Sequence, residues 1–504
     1  MKRAAGILLH PTSLPGRFGI GDLGTAAVTF LDWAAAAGQS VWQVLPLHPP
    51  ALENCPYTAL SSYAGNPLLL SPARLVEDEL LPAAALASAP PFPEERVDFP
   101  AVAAWKADLL RASFAVFRQR PPAAVRQAAE AFRDDPAVRA WLDDWALFAA
   151  LRERFGNRPW NRWEEALRWR EPAALAAARR DLADEIEFHR YLQFLFFRQW
   201  DAVRREAQRR GVTILGDLPI YVALDSADVW TRPELFALDR RGDPTAVAGV
   251  PPDYFSATGQ RWGNPIYRWD RHAEEGFAWW VARLRWALRL AGMVRIDHFR
   301  GFAAYWEIPA EEPTAVHGRW VEGPGDTFFA AVRRALGELP IVAEDLGVIT
   351  PDVEALRQRW GLPGMKVLQF AFSEPDSPHL PHRFTRDTVV YTGTHDNDTT
   401  CGWYQRASAA ERERLATYAG STGRAVAWDL IRLAATSVAD LAIVPLQDVA
   451  GLGSEARMNT PGVAAGNWAW RASPQHLCRE SAGRLRALAE VSGRFPPGEL
   501  EPGR

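Results

Sequence analysis

Four carboxylates stand where short apolar runs of the sequence give out. Asp217 closes the run Ile214-Leu215-Gly216-Asp217 and Asp297 closes Arg295-Ile296-Asp297; Glu344 lies in Ala343-Glu344-Asp345 and Asp396 in Thr394-His395-Asp396-Asn397. Taken singly, an acidic residue at such a place is ordinarily a loop cap or half of a surface ion pair. Four of them in one order form a pattern. Residues two apart on a strand share a face, so Arg295 can pair with Asp297 and keep it ionised near neutral pH. That prepares a nucleophile. Exchange at an acetal carbon also needs a proton donor for the departing oxygen, and a retaining enzyme holds the two carboxyls about 5 to 5.5 Å apart. Glu344 is the candidate donor. Its neighbour Asp345 points to the opposite face if the strand continues.

Carboxylates so far apart in sequence meet only if the elements carrying them converge. Eight short apolar runs rich in β-branched residues recur at 6–9, 41–45, 213–217, 293–297, 341–345, 366–370, 389–392 and 441–446, which is how strands buried on both faces read. Helical stretches separate them, beginning with 25–37, for which Gly38 is a plausible C-cap. Eight β-α units predict an α/β fold, the (β/α)8 TIM barrel, whose strand ends meet at one mouth. Two gaps exceed what a crossover needs. Residues 66–211 are rich in Ala, Arg, Glu and Trp with helical periodicity, as in 141–155 and 181–198, and predict a mainly helical inserted subdomain between strands 2 and 3. The stretch 220–290 is rich in Gly, Pro and aromatics around 250–269, and a structured loop at 245–270 over the site is expected. The expected organisation is therefore 1–65 with the first two strands, 66–211 as the insertion, 212–475 as the rest of one catalytic barrel, and 476–504 as a terminal helix with a disordered tail.

Composition narrows the partners. A formal charge of -4 over 504 residues gives no global positive field for nucleic acid or an anionic membrane, and a neutral substrate suits it better. Among 57 basic residues only Lys2, Lys106 and Lys366 are lysines, which reads as coding bias. The 22 tryptophans must mostly fill core, yet an excess of aromatic faces mildly favours a carbohydrate ligand. Cys55, Cys401 and Cys478 form neither a disulfide framework nor a zinc motif, and a reducing compartment fits. His10 and Pro11 break the early apolar run before a secretory signal forms, and no apolar stretch approaches about 18 residues. The expectation is a cytoplasmic protein with no metal and no cofactor; the sequence leaves its oligomeric state open.

Gly19-Ile20-Gly21-Asp22-Leu23-Gly24 matches a dinucleotide-binding fingerprint, but Pro11 and Pro15 separate it from the preceding strand, and no acidic residue follows about 20 positions on. A tight turn, with Asp22 or Thr25 capping the next helix, is the expectation instead. His10, His48 and His272 receive no role. His298 and His395 do, because each abuts a candidate carboxylate.

The order Arg-x-Asp, Glu, His-Asp along successive strands resembles the α-amylase superfamily. Finer motifs resemble its amylomaltase branch, glycoside hydrolase family 77: GDLPIYV at 216–222, RIDHFRG at 295–301, AEDLG at 343–347, GTHDND at 393–398, YTALS at 57–61, AGNP at 64–67 and the specific run AGVPPDYFSATGQRWGNP at 248–265. The resemblance covers 6–470 and implies a retaining 4-α-glucanotransferase. Its substrates would be α-1,4-glucans and maltooligosaccharides, with glucose or another glucan as acceptor. It implies Asp297 as nucleophile, Glu344 as general acid/base and Asp396 as stabiliser of the distorted sugar. Asp217, Arg295, His298 and His395 would line the subsite at the scissile bond, with Gln260 and Asn264 from the loop and Tyr57 as a secondary glucan contact. Tyr254, Phe255 and Trp262 are expected to cover the intermediate and stack on an acceptor. Cys55 stands where the branch leads one to expect Ser, which suggests sensitivity to oxidation. A glucan hydrolase and a catalytically dead glycan-binding barrel are the alternatives; intact Asp297, Glu344 and Asp396 argue against the second.

Overall fold

The computed structural model describes residues 2–252 and 256–495; Tyr254 and Phe255 lie outside them, as does the expected tail beyond Phe495. In chain order the strands among the described residues are β1 (Ala4–Leu8), β2 (Val41–Gln43), β3 (Thr213–Pro219), β4 (Ala246–Val250), β5 (Gln260–Pro265), β6 (Met293–Asp297), β7 (Ala304–Pro309), β8 (Arg319–Glu322), β9 (Ile341–Ala343), β10 (Gly364–Val367), β11 (Thr388–Tyr391) and β12 (Leu441–Pro445). Every one of the eight apolar runs forms a strand. They make one parallel sheet in the order β10-β11-β12-β1-β2-β3-β6-β9, whose two end strands meet through the Ala343 N–H and the Pro363 carbonyl, 2.9 Å apart. That closes a (β/α)8 barrel. Side chains such as Ile7, Leu215, Ile296, Met365, Val389 and Ile443 are fully buried in or around it, the expected consequence of covering both faces of a parallel sheet.

The pairing of β3 with β6 places Asp217 beside Arg295 and Pro219 beside Asp297. Because side chains alternate along a strand, Arg295 and Asp297 then share the inner face with Asp217 next door. Helix Thr25–Ala36 follows β1, and Gly38 takes the left-handed conformation just beyond it, at φ +68°. No side chain caps its start. The Asp22 carboxylate instead accepts the Gly24 N–H at 2.9 Å, so the glycine-rich segment is a turn without the expected helix cap.

Between β2 and β3 the chain is helical, including Phe99–Gln119, Leu142–Arg154 and the 27-residue Ala183–Arg209. That last helix, about 40 Å long at 1.5 Å per residue, runs back along the barrel. On it Gln193 and Gln199 each exchange two hydrogen bonds with a backbone unit, those of Gly65 and Ser71. The buried Lys106 ammonium donates to the Leu68 and Leu70 carbonyls at 2.6 and 2.7 Å. The stretch expected as a structured loop is more regular than that. β4 and β5 form a hairpin that joins β7 and β8 in an antiparallel sheet ordered β5-β4-β7-β8. Its strands are short and interrupted by Gly249, Gly263 and Pro265, so no alternation betrayed them.

Candidate active site

The centre of the site is one guanidinium. Arg295, 3% exposed, donates from Nη1 to Asp217 Oδ2 and from Nη2 to Asp297 Oδ1, each at 2.5 Å. The ladder register brings Asp217 to it and the two-residue period brings Asp297. Flanking negative charge holds the guanidinium's pKa well above its ordinary value, although burial works against it, so it stays charged. Tyr57 donates to the same Asp217 oxygen at 2.6 Å, and its ring stacks on His395 with centroids 5.0 Å apart. Expected as a secondary contact, Tyr57 lies instead in the middle of the cluster.

Glu344 follows the last residue of β9, and its backbone bonds place it: its N–H donates to the Ile296 carbonyl at 3.0 Å and its carbonyl accepts from Phe299. Its side chain accepts two backbone N–H groups, that of His298 at Oε2 and that of Leu346 at Oε1, both at 2.8 Å. His298 presents its N–H this way because it sits in the left-handed region at φ +56°, a rare and constrained conformation for a non-glycine residue. The Glu344 carboxylate is thus held by the backbone N–H of His298, the residue that follows Asp297.

The ionisation of Asp297 differs from the expectation. Burial, and then the negative charges of Glu344, Asp217 and Asp396, push its carboxyl up to about 8 against the pull of Arg295. One guanidinium does not neutralise four gathered carboxyls, so near neutral pH the cluster retains a proton, as close carboxylates do. Both Glu344 oxygens are occupied by N–H donors, whereas the Asp297 carboxyl is the one that burial pushes up.

Asp396 is reached from a segment without strand or helix. Asn459 donates to Asp396 Oδ1 at 2.6 Å, Arg457 donates to its backbone carbonyl at 2.6 Å, and His395 Nε2 lies 3.3 Å from the same Oδ1. Trp468, buried and in the left-handed conformation, packs on both His395 and Tyr57. Sequence reasoning missed Arg457, Asn459 and Trp468. Only the isolated polar pair in Arg457-Met458-Asn459 marks this segment, and it has no periodicity to assign.

Both histidines are held neutral by burial, His298 pushed down to about 3 and His395 also lowered. Neutral imidazoles can donate or accept hydrogen bonds with sugar hydroxyls. From β5, Trp262 meets the His298 ring edge to face at 4.8 Å, is 37% exposed, and donates to Gln260 Oε1 at 3.1 Å. The Asn264 amide donates to the Val222 carbonyl at 2.9 Å, fastening β5 to the segment after β3. Two of the 22 tryptophans, Trp262 at 37% and Trp320 at 40%, are exposed among the described residues; Trp42, Trp160, Trp200, Trp230 and Trp280 are wholly buried, as a core-filling role requires. Burial raises the pKa of the Cys55 thiol, which lowers its thiolate fraction. Among the described residues no helix is long and apolar enough to cross a membrane.

Comparison with known proteins agrees with this geometry. The family model described as 4-alpha-glucanotransferase matches residues 9–476. The 4-alpha-glucanotransferase of Thermus thermophilus is 52% identical over 98% of this chain and 100% of its own. The chloroplastic/amyloplastic 4-alpha-glucanotransferase of Solanum tuberosum is 46% identical, over 98% of this chain and 87% of its own. Among solved structures, amylomaltase from Streptococcus agalactiae in complex with acarbose superposes with a TM-score of 0.95 at 35% identity, covering 98% of this chain and 100% of that one. A barrel whose mouth gathers Asp217, Arg295, Asp297, Glu344 and Asp396, matched over nearly its whole length, places the chain in the 4-alpha-glucanotransferase family.

Proposed function

We propose that this family member moves α-1,4-glucan segments from a donor maltooligosaccharide or starch chain to the 4-OH of glucose or another glucan, by double displacement through a glycosyl ester on Asp297. The observation that carries the reading is the Arg295 bridge, which aims Asp297, beside the His298 N–H that holds Glu344. In the first step Asp297 attacks the anomeric carbon while Glu344 protonates the departing oxygen; in the second Glu344 takes the proton of the incoming hydroxyl, which displaces Asp297. The cluster's single proton serves both steps. It passes to Glu344 when the sugar oxygen arrives, and leaves Asp297 as a carboxylate held by Arg295. Asp396, aimed by Asn459, stabilises positive charge developing on the sugar.

Asp217, Tyr57, His298 and His395 form the walls of the scissile-bond subsite, and Gln260, Trp262 and Asn264 flank it. Trp262, 37% exposed and edge to face with His298, covers the intermediate. Residues 66–211 act as an inserted helical subdomain on one catalytic barrel, and the protein works in the cytoplasm. Product analysis on maltotriose with reducing ends counted tests the reading. Glucose and a ladder of longer oligosaccharides at nearly constant reducing ends support transfer; a steady rise in reducing ends supports hydrolysis and refutes it.

A further inference from the structure

The barrel has one irregular joint, and it lies beside Glu344. Seven neighbouring pairs in the sheet order are joined by ladders, but β9 and β10, its two ends, are not. Besides the Ala343 to Pro363 backbone bond, a side chain spans the gap: Asp345 Oδ1 accepts the Met365 N–H at 2.6 Å. The carboxylate does what a backbone carbonyl would do if β9 continued. Its second oxygen, Oδ2, lies 3.3 Å from Arg357 Nε and directly over Gly364, where a Cβ would stand 2.3 Å from it. Gly364 has an ordinary φ, so its lack of a side chain serves this close approach. Asp345 is 7% exposed, and its carboxylate lies between β10 and Arg357 of the helix Pro351–Arg359.

We propose that Asp345 is a positioning residue for the reaction: seated over Gly364 and bound to the Met365 N–H, it closes the seam at the end of β9 and so sets the direction in which Glu344 meets the glycosidic oxygen. The inference rests on Glu344 as the acid/base. Asp345, the residue after Glu344, is tied to β10 by its own carboxylate, and Leu346 returns its N–H to Glu344 Oε1. The Glu344–Leu346 segment is therefore anchored to β10 through Asp345. Loss of the clamp lets the carboxyl drift while Asp297, on β6, stays in place. A shift of about 1 Å at a reacting group costs on the order of 10²-fold in rate.

The test separates acid delivery from everything else. Fluoride leaves an α-maltosyl fluoride without protonation, so the burst of fluoride release reports nucleophilic attack alone, whereas maltotriose cleavage needs the acid as well. In the full-length protein, Asp345→Ala and Gly364→Ala should lower kcat on maltotriose by roughly 10²-fold, with KM little changed and the fluoride burst nearly that of wild type. Asp345→Asn, which keeps an acceptor oxygen for Met365, should recover much of the loss. Circular dichroism selects folded variants, and Asp345→Asn with Gly364→Ala carries the test if Asp345→Ala does not fold. Equal loss on both donors in a folded variant, or no loss on either, overturns the proposal. Glu344→Gln is the control for the reading beneath it: if that variant does not itself spare the fluoride burst, Glu344 is not the acid, whatever Asp345 does.

Discussion

Asn459 donates to Asp396 Oδ1 at 2.6 Å from a segment 63 residues further along the chain. The amide orients a carboxylate whose own side chain is 45% exposed and would otherwise sample several rotamers. Asn459→Ala should lower kcat by about 10- to 100-fold and leave the fold intact, since a misdirected stabiliser loses part of its transition-state contact. Steady-state kinetics on maltotriose check this. A folded variant with unchanged kcat would show that Asp396 is aimed by other groups.

Arg295→Lys should cost roughly 10²-fold or more in kcat/KM, because a point ammonium cannot bridge Asp217 and Asp297 as a planar fork does. The measurement is kcat/KM on maltotriose with folding checked by circular dichroism. Retained activity would mean that charge alone, without the bidentate geometry, prepares the nucleophile.

The raised Asp297 carboxyl makes a prediction about pH. One proton must remain on the Asp297–Glu344 pair, so kcat/KM should fall as pH rises through about 8. Glu344→Gln removes a negative neighbour, which favours the charged form of Asp297. The pH midpoint for fluoride release from α-maltosyl fluoride should therefore lie below 8 in that variant, with rate rising as Asp297 ionises. A midpoint that moves upward would contradict the charge accounting.

Burial also writes itself into stability. The fully buried His272, packed against Tyr267 and Trp279, is pushed down to about 4, whereas in the unfolded chain it takes its proton below about pH 6.5. Between those values the unfolded state binds more protons, so this group's contribution is intact above about 6.5 and is lost as pH falls towards 4. His10 and His48, pushed to about 3 and about 4, act in the same sense; Asp345, pushed up to about 6, opposes them between its ordinary value and 6. His272→Phe should flatten the dependence of unfolding free energy on pH near 5.5 by about 1.4 kcal/mol per pH unit. Urea unfolding at pH 5 and 6 measures it, and an unchanged slope would show that His272 protonates in the fold as readily as outside it.

What was legible in the sequence follows from how each element is stabilised. β6 and β11 read clearly because burial on both faces demands near-continuous apolar residues, and the carboxylates stood out because each interrupts such a run. β4, β5, β7 and β8 did not read, since strands of four to six residues carrying Gly249, Pro265 and Arg319 owe their pairing to neighbours distant in sequence. Asn459 and Trp468 were invisible for the same reason: their place depends on a loop's path, which leaves no periodicity. The shift on Asp297 was misjudged because one visible partner, Arg295, was weighed without the three carboxylates and the burial that the fold adds.

The central claim is that Asp297 becomes covalently glycosylated. Glu344→Gln treated with α-maltosyl fluoride should accumulate the intermediate, since attack needs no acid and turnover needs the missing base. Peptide mass mapping should then find one maltosyl group on the peptide containing Asp297. Rapid fluoride release with no adduct there, or an adduct on a different carboxylate, would contradict the account.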